Sequence, residues 1–405
     1  MTGGSERGEW VARALPDAGL QALVCTLPAN VLMLAGYWPV VGSAVAVATP
    51  DGHVAVLAPD DEQELAEQGW ATAVRTYEPG SLTRLTGGPA ETIRDSLAAL
   101  LRDLGVTHGR VGYEDGDAYE PASYAAMYLF GAAIGAILRE AAPDVTLVAA
   151  GAALTQLRSR MTVDEVGQVR LACSTAGAAF AAGTQAIRPG IHEPEVAAAF
   201  GAPLGERGLQ TAGVRRAGGF TYCMSGPNSA LAGAAYARTR ARELRTGDLV
   251  LVHCNSYVDG YWTDITRTYC LGEPDERQRA MYEAVFAARA AALAAIQPGV
   301  RAAEVDRAAR DVLIGRGFGQ YFTHGIGHNV GFSAISMAFP PRLHPASPDY
   351  LEVGMTFNVE PAIYIKGYGG LRHCDVVTLT AAGVEVLTPF HSSEEHLVIG
   401  RDRAR

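Results

Sequence analysis

An Asp-Gly pair at 259–260, set between two half-apolar runs, constrains this chain more than any other dipeptide in it. It signals a tight hairpin, because such a turn needs consecutive residues that tolerate positive φ. The run reads His253-Cys-Asn-Ser-Tyr-Val-Asp-Gly-Tyr-Trp-Thr-Asp264-Ile-Thr-Arg-Thr268. The midpoint of positions 253 and 264 falls in that turn. His253 and Asp264 are therefore expected to face each other across two antiparallel strands, close enough to share an ion.

A second hairpin follows the same logic. Glu360-Pro-Ala-Ile-Tyr-Ile-Lys-Gly-Tyr-Gly-Gly-Leu-Arg-His-Cys374 turns over a Gly-rich tip centred on Gly367, which sets Glu360 opposite Cys374. Between the hairpins lies His324-Gly-Ile-Gly-His328. Two histidines at i, i+4 could share a helix face, but the two glycines argue against helix. In an extended segment 324, 326 and 328 share one face. Three separate segments thus offer His253, Asp264, His328, Glu360 and Cys374 as metal donors. Cys254, Cys270 and His373 alternate away from that face and are not expected to be ligands.

The rest of the chain predicts an α/β (α+β) protein. Its 405 residues favour two domains, with the boundary near residue 150. Residues 1–8 read as a loose end. Short apolar strands at Ala22-Leu-Val-Cys, 43–48 and 53–58 alternate with a helix over 90–104. A long Ala-rich helix is expected over 154–187, then one over 193–207 with Pro194 at its start. Past Leu249 strands dominate, at 249–255, 356–365 and 375–380, with one helix over 275–296.

The net charge of −10 and the lack of any Lys/Arg run make nucleic acid and anionic membrane poor partners. The stretch from Tyr124 to Leu138 is uncharged but short of the roughly 20 residues a membrane span needs. It reads as a buried or dimer-facing helix. Six scattered cysteines, and a start without an apolar core, point to a reduced cytoplasmic compartment. No nucleotide cofactor is expected.

The motifs together resemble the creatinase / aminopeptidase P / prolidase group, the "pita-bread" metallopeptidase family M24. The resemblance rests on Leu157-Arg-Ser-Arg, Ile187-Arg-Pro-Gly190, Met224-Ser-Gly-Pro-Asn228, Gly260-Tyr-Trp-Thr-Asp-Ile-Thr-Arg-Thr268, His324-Gly-Ile-Gly-His328, Gly354-Met-Thr-Phe-Asn-Val-Glu-Pro361 and Gly370-Leu-Arg372, in family order. It implies a creatinase-type N-terminal domain over 1–150, a pita-bread catalytic domain over 151–405, and a homodimer. It also implies two divalent metals held by Asp, Asp, His, Glu and Glu. Asp264, His328 and Glu360 match three of these, while His253 and Cys374 stand where the first Asp and the last Glu are expected. Gly233 and Ile335 occupy the positions of two assisting histidines; an insertion would let His344 take the second of these roles.

Both ligand changes keep a donor atom, and the set becomes softer and less negative. That favours one divalent metal, iron or zinc ahead of manganese, on His253, Asp264, His328 and Glu360 with Cys374 as fifth ligand or nearby thiolate. Each lost histidine is worth about two to four orders of magnitude in rate, so efficient peptide hydrolysis is not expected. Gly233 and Ile335 are expected to leave a roomier, apolar pocket beside Tyr222. Cys374, His324 and Arg372 are the remaining catalytic candidates; Arg372 orients a site or substrate carboxylate or forms an ordinary salt bridge.

The leading expectation is a repurposed enzyme acting on a small amino-acid-like or specialised metabolite, by C–N hydrolysis, elimination or iron-dependent oxidation. The alternatives are an Xaa-Pro dipeptidase or aminopeptidase with variant ligands, and a non-catalytic binding protein on a peptidase scaffold.

Overall fold

The computed structural model describes residues 3–40, 44–79, 89–116, 131–235 and 238–400. The chain divides into two compact units, Met1–Asp164 and Glu165–Arg405.

The first unit is built on six strands, β1 (Ala22–Cys25), β2 (Val45–Ala48), β3 (Val54–Pro59), β4 (Ala73–Tyr77), β5 (Gly109–Tyr113) and β6 (Val145–Ala149). They form one mixed sheet in the order β4-β3-β2-β1-β5-β6. Every residue of β1, β2 and β3 is buried, as the unbroken apolar runs require when both sheet faces are covered. Val24, Val47, Leu57, Leu97, Leu101 and Leu138 pack into the core.

The N-terminal end departs from expectation. Gly3–Asp17 is a helix, not a loose end. Arg7, Val11, Ala14 and Leu15 recur at helical spacing and all are fully buried. Arg7 donates to the carbonyls of Leu157 at 2.7 Å and Arg160 at 3.4 Å. The helix expected over 154–187 is two, Gly151–Arg158 and Val163–Gly183, and Arg7 satisfies two of the carbonyls at the break. In the uncharged 124–138 stretch, 124–130 lie outside the described residues. The helix Ala132–Ala141 buries Ile134, Ile137 and Leu138. Among the described residues no helix is long and apolar enough to cross a membrane.

The second unit carries β7 (Ala217–Ser225), β8 (Leu249–Val258), β9 (Tyr261–Trp262), β10 (Ile265–Leu271), β11 (Thr356–Val359), β12 (Ala362–Ile365), β13 (Gly369–Arg372), β14 (Asp375–Thr380), β15 (Gly383–Val386) and β16 (Val398–Ile399). Its helices include Glu193–Leu209, Glu276–Ala295 and Ala302–Gly315. The last of these was not legible as a helix, and it packs against the one before it. Asp275 opens Glu276–Ala295 with a capping box: its side chain accepts from the Gln278 backbone at 2.8 Å, and Gln278 Oε1 accepts from its backbone at 2.9 Å.

Two hairpins shape this unit. At the first, Asp259 and Gly260 both have positive φ, 48° and 89°, as a two-residue turn of this hand demands. The register is slipped from the one expected. His253 pairs with Thr266, and Cys254 with Ile265, so Asp264 stands diagonal to His253. A slip of one residue would have put the two on opposite faces; this one keeps the shared face. In the second hairpin β11 pairs with β14 and β12 with β13 in one common register, so Glu360 and Cys374 fall opposite each other where both strands break. At the break the chain changes sheets: Cys374 exchanges backbone bonds with Thr266, donating at 3.0 Å and accepting at 3.4 Å.

Candidate metal centre

That change of sheets sets the site. Strand β10 delivers Asp264 from just before its start, while the broken hairpin delivers Glu360 and Cys374. Arg267 locks the junction. Fully buried, it donates to the Cys374 carbonyl at 2.6 Å, the Thr388 carbonyl at 2.7 Å and Asp375 Oδ1 at 2.7 Å. His328 arrives on an extended segment, not a helix. Ile326 accepts from the Glu360 backbone at 2.8 Å and His328 from Asn358 at 3.0 Å. Gly327 permits this, because a Cβ there would run into the Asn358 carbonyl.

Asp264, Glu360 and Cys374 offer donor atoms that all lie within 4.8 Å of one another, and all three are buried. His328 joins them: its Nε2 lies 3.2 Å from Asp264 Oδ2 and 3.8 Å from Glu360 Oε1. Its Nδ1 donates to the Asn329 carbonyl at 3.0 Å, which fixes the tautomer and leaves the Nε2 lone pair facing the cluster. Two carboxylates and a thiol therefore fit one divalent ion, with the His328 imidazole beside them. The Asn358 side-chain amide sits among the same atoms, 3.1 Å from His328 Nε2 and 3.5 Å from Cys374 Sγ.

Without a cation the cluster holds protons. Burial and the Asp264 and Glu360 charges push the Cys374 thiol well above its usual range. Burial opposes a proton on His328, but Asp264 and Glu360 outweigh it and raise that histidine. Burial likewise opposes the Asp264 carboxylate, and the hydrogen bond and charge of His328, with the charge of Arg372, hold it below its usual range.

His253 is placed differently from the expected ligand. Its Nδ1 lies 3.6 Å from Asp264 Oδ1, yet both ring nitrogens are engaged. Arg372 Nη2 donates to Nδ1 at 2.9 Å, and Nε2 donates to Asn255 Oδ1 at 3.0 Å. Burial holds His253 down to about 4, so the ring is neutral and the contact with Asp264 is no ion pair. The Tyr222 ring, paired with it across β7 and β8, stacks at 6.2 Å.

Arg372 is buried among Thr266, His253 and Glu360. It also binds the Tyr364 hydroxyl, which donates to His324 Nε2 at 3.1 Å. His324 in turn donates from Nδ1 to the Gly325 carbonyl at 2.8 Å, and burial lowers its affinity for a second proton.

The roomier pocket expected at Gly233 is not there: a Cβ at that position would lie 2.8 Å from the Tyr364 ring, which fills the space. Ile335 is half-buried on the irregular 331–340 segment. His344 is exposed, and its Nδ1 accepts from the Ala346 backbone at 3.1 Å, capping its own loop. His373 lies apart from the donors, its ring packed on Phe286 at 5.1 Å. Sequence reasoning missed Thr266, Asn255, Asn358 and Tyr364. Alternation supplies a signal for the first three, since 253 and 255, 264 and 266, and 358 and 360 share faces.

The model of Metallopeptidase family M24 matches residues 167–381, and that of the Creatinase/Prolidase N-terminal domain matches 7–160. The Xaa-Pro dipeptidase of Pyrococcus furiosus is 34% identical over 235 residues, 58% of this chain and 64% of that protein. The Xaa-Pro dipeptidase of Lactobacillus helveticus is 32% identical over 246 residues, 61% of this chain and 64% of that protein. The chain thus spans somewhat less than two thirds of these relatives. The solved structure of the Xaa-Pro dipeptidase from Bacillus anthracis superposes with a TM-score of 0.77 at 26% identity, covering 98% of this chain and 100% of that one. The expectation against peptide hydrolysis finds no support in these comparisons, whose named relatives are dipeptidases.

Proposed function

The chain belongs to metallopeptidase family M24, and from that premise we propose that it hydrolyses small dipeptide-like amides of the Xaa-Pro type with one divalent ion. The observation that carries this reading is the convergence of Asp264, Glu360 and Cys374 within 4.8 Å, with His328 beside them. These four would hold the ion. When bound, it polarises a carbonyl and lowers the pKa of a water. The thiol favours zinc or iron over manganese.

The chain's own residues do the positioning. Arg372 holds Glu360 from one side and is itself held by His253 and Thr266. Tyr364 keeps its hydroxyl proton directed at His324 Nε2, and the Gly325 carbonyl takes the Nδ1 proton, so the His324 ring is held in one orientation beside the site. Burial of the donors keeps bulk water from the charges, which strengthens each interaction there. A homodimer belongs to this reading, and sedimentation at micromolar concentration checks it.

The test is turnover of a panel of Xaa-Pro dipeptides by purified protein supplied with manganese, cobalt or zinc, beside Glu360→Ala. Hydrolysis that Glu360→Ala abolishes supports the reading; no hydrolysis with any metal sinks it. One observation favours a second reading, action on a specialised metabolite. The Tyr364 ring seated on Gly233 leaves no room for a side chain there, so the pocket is shaped unlike one built around an imidazole. Bound metal without dipeptide turnover would move the assignment to that reading.

A further inference from the structure

Helix Ala302–Gly315 carries an i, i+4 pair that reaches the segment 322–328. The Asp306 side chain is 1% exposed and that of Arg310 24%. Asp306 Oδ2 accepts from Arg310 Nε at 2.8 Å and Oδ1 from Nη2 at 3.0 Å, a two-pronged contact that fixes both side chains. The pair then turns to backbone. Arg310 Nη1 donates to the Phe322 carbonyl at 3.1 Å and Nη2 to the His324 carbonyl at 2.8 Å, while Asp306 Oδ1 accepts from the Ile326 N–H at 3.0 Å. The guanidinium also lies over the Phe322 ring at 4.4 Å. On the far side the segment has no slack, since a Cβ at Gly325 would lie 2.6 Å from the Leu343 carbonyl.

The two histidines of the segment are therefore held by different means. His328 is held by strand pairing: its carbonyl accepts from the Asn358 backbone at 3.0 Å, and its N–H donates to Asn358 Oδ1 at 2.7 Å. The backbone on either side of His324 is held by two helix side chains, which serve residues 322, 324 and 326 as a strand edge would. Its ring is then met by the Tyr364 hydroxyl at 3.1 Å.

We propose that Asp306 and Arg310 are positioning residues for this centre, and that Arg310 sets where the His324 ring stands against Tyr364. The effect on rate rests on the hydrolase reading above; the effect on the His324 ring does not. Arginine suits the role because its planar fork can bond a carboxylate and two carbonyls at once, which a lysine ammonium cannot match. Without it two carbonyls lose their donors and the backbone at 324 is free to shift, and a displacement of about 1 Å near a reacting centre is enough to cost about 100-fold in rate.

The test follows His324 itself. The full chain has ten histidines; with 13C at Cε1 their signals resolve by NMR, and His324→Gln and His328→Gln assign the two of interest. In metal-free protein Arg310→Ala is expected to shift or broaden the His324 signal beyond its line width and to leave that of His328 in place. In metal-loaded protein it is expected to lower kcat on a responsive Xaa-Pro dipeptide by about 10-fold or more, with KM and metal content unchanged. Arg310→Lys should show both effects to a lesser degree. In a His324→Gln background Arg310→Ala should cost nothing further, because it acts through that ring.

A folded Arg310→Ala with an unmoved His324 signal overturns the proposal, as does a loss of kcat that persists in full in the His324→Gln background. A wild type without turnover removes the hydrolase reading, and the NMR signal alone then decides this proposal. Circular dichroism reports folding. If Arg310→Ala is not folded, Arg310→Lys decides: a wild-type His324 signal in that variant overturns the proposal.

Discussion

Asp264 and His253 stand on one hairpin, 3.6 Å apart and equally buried, yet their surroundings give them opposite capacities. Asp264 opens onto Cys374 and Glu360, their three donor atoms all lying within 4.8 Å of one another, and onto His328 Nε2 at 3.2 Å. His253 opens onto Arg372 and Asn255, which consume both of its nitrogens. The two residues thus differ in what else reaches their donor atoms.

The contrast can be broken most sharply at Glu360, the one residue both sides share. Glu360→Ala should lower turnover of a responsive dipeptide by at least about a thousandfold, as measured by initial rates, and release the ion in the same sample. A variant that kept its metal would show that the donor side does not need Glu360. Cys374→Ser comes next. Replacing the soft donor should weaken zinc binding by roughly 10- to 100-fold and manganese binding much less, read by competition with a chelating dye. Equal losses for both metals would argue that Cys374 only packs beside the site. Tyr364→Phe removes the hydroxyl that links Arg372 to His324 and should reduce kcat by about 10-fold or less with KM little changed. A larger loss in KM than in kcat would place Tyr364 in substrate binding instead.

The smallest effect is on pH-dependent stability. Burial first of all holds His253, His373 and His391 down to about 4, whereas in an unfolded chain they titrate near about 6.5. Between those values the unfolded state binds more protons, so stability falls as pH falls through that window. His328 is raised instead and works in the opposite direction, being outnumbered three to one by the histidines named here. Urea unfolding at pH 7 and pH 5 should give a lower midpoint at pH 5. His373→Phe, on the side away from the donors, should flatten the slope by at most about 1.4 kcal/mol per pH unit. An unchanged slope would show that His373 already titrates normally.

Local patterns in the sequence were a good guide wherever one pairing rule decides the outcome. The Asp-Gly turn marked its hairpin, and the Gly-rich tip placed Glu360 against Cys374 because a single register runs through β11–β14. The pairing of His253 with Thr266 follows from the turn itself, since Asp259 and Gly260 as its two central residues set Val258 against Tyr261 and so Thr266 against His253. What alternation could not supply was any contact made across a long loop, such as the guanidinium of Arg372 on the His253 ring. Gly233 shows the same limit. A missing side chain reads as empty space in a sequence, but in the fold a distant tyrosine had already taken it. The buried start of the chain was hidden for a related reason, since Arg7 looks like a solvent residue until the carbonyls of Leu157 and Arg160 are placed beside it.

The exchange of partners at Cys374, where one strand leaves its hairpin to bond Thr266, has a thermodynamic consequence. Asp264 and Cys374 are 110 residues apart in sequence, so an ion gripping both closes a very large loop and acts as a reversible cross-link. Bound ion then adds to stability by mass action. The melting midpoint of the unit Glu165–Arg405 becomes a readout of free metal concentration, and a chelator becomes, in effect, a mild denaturant.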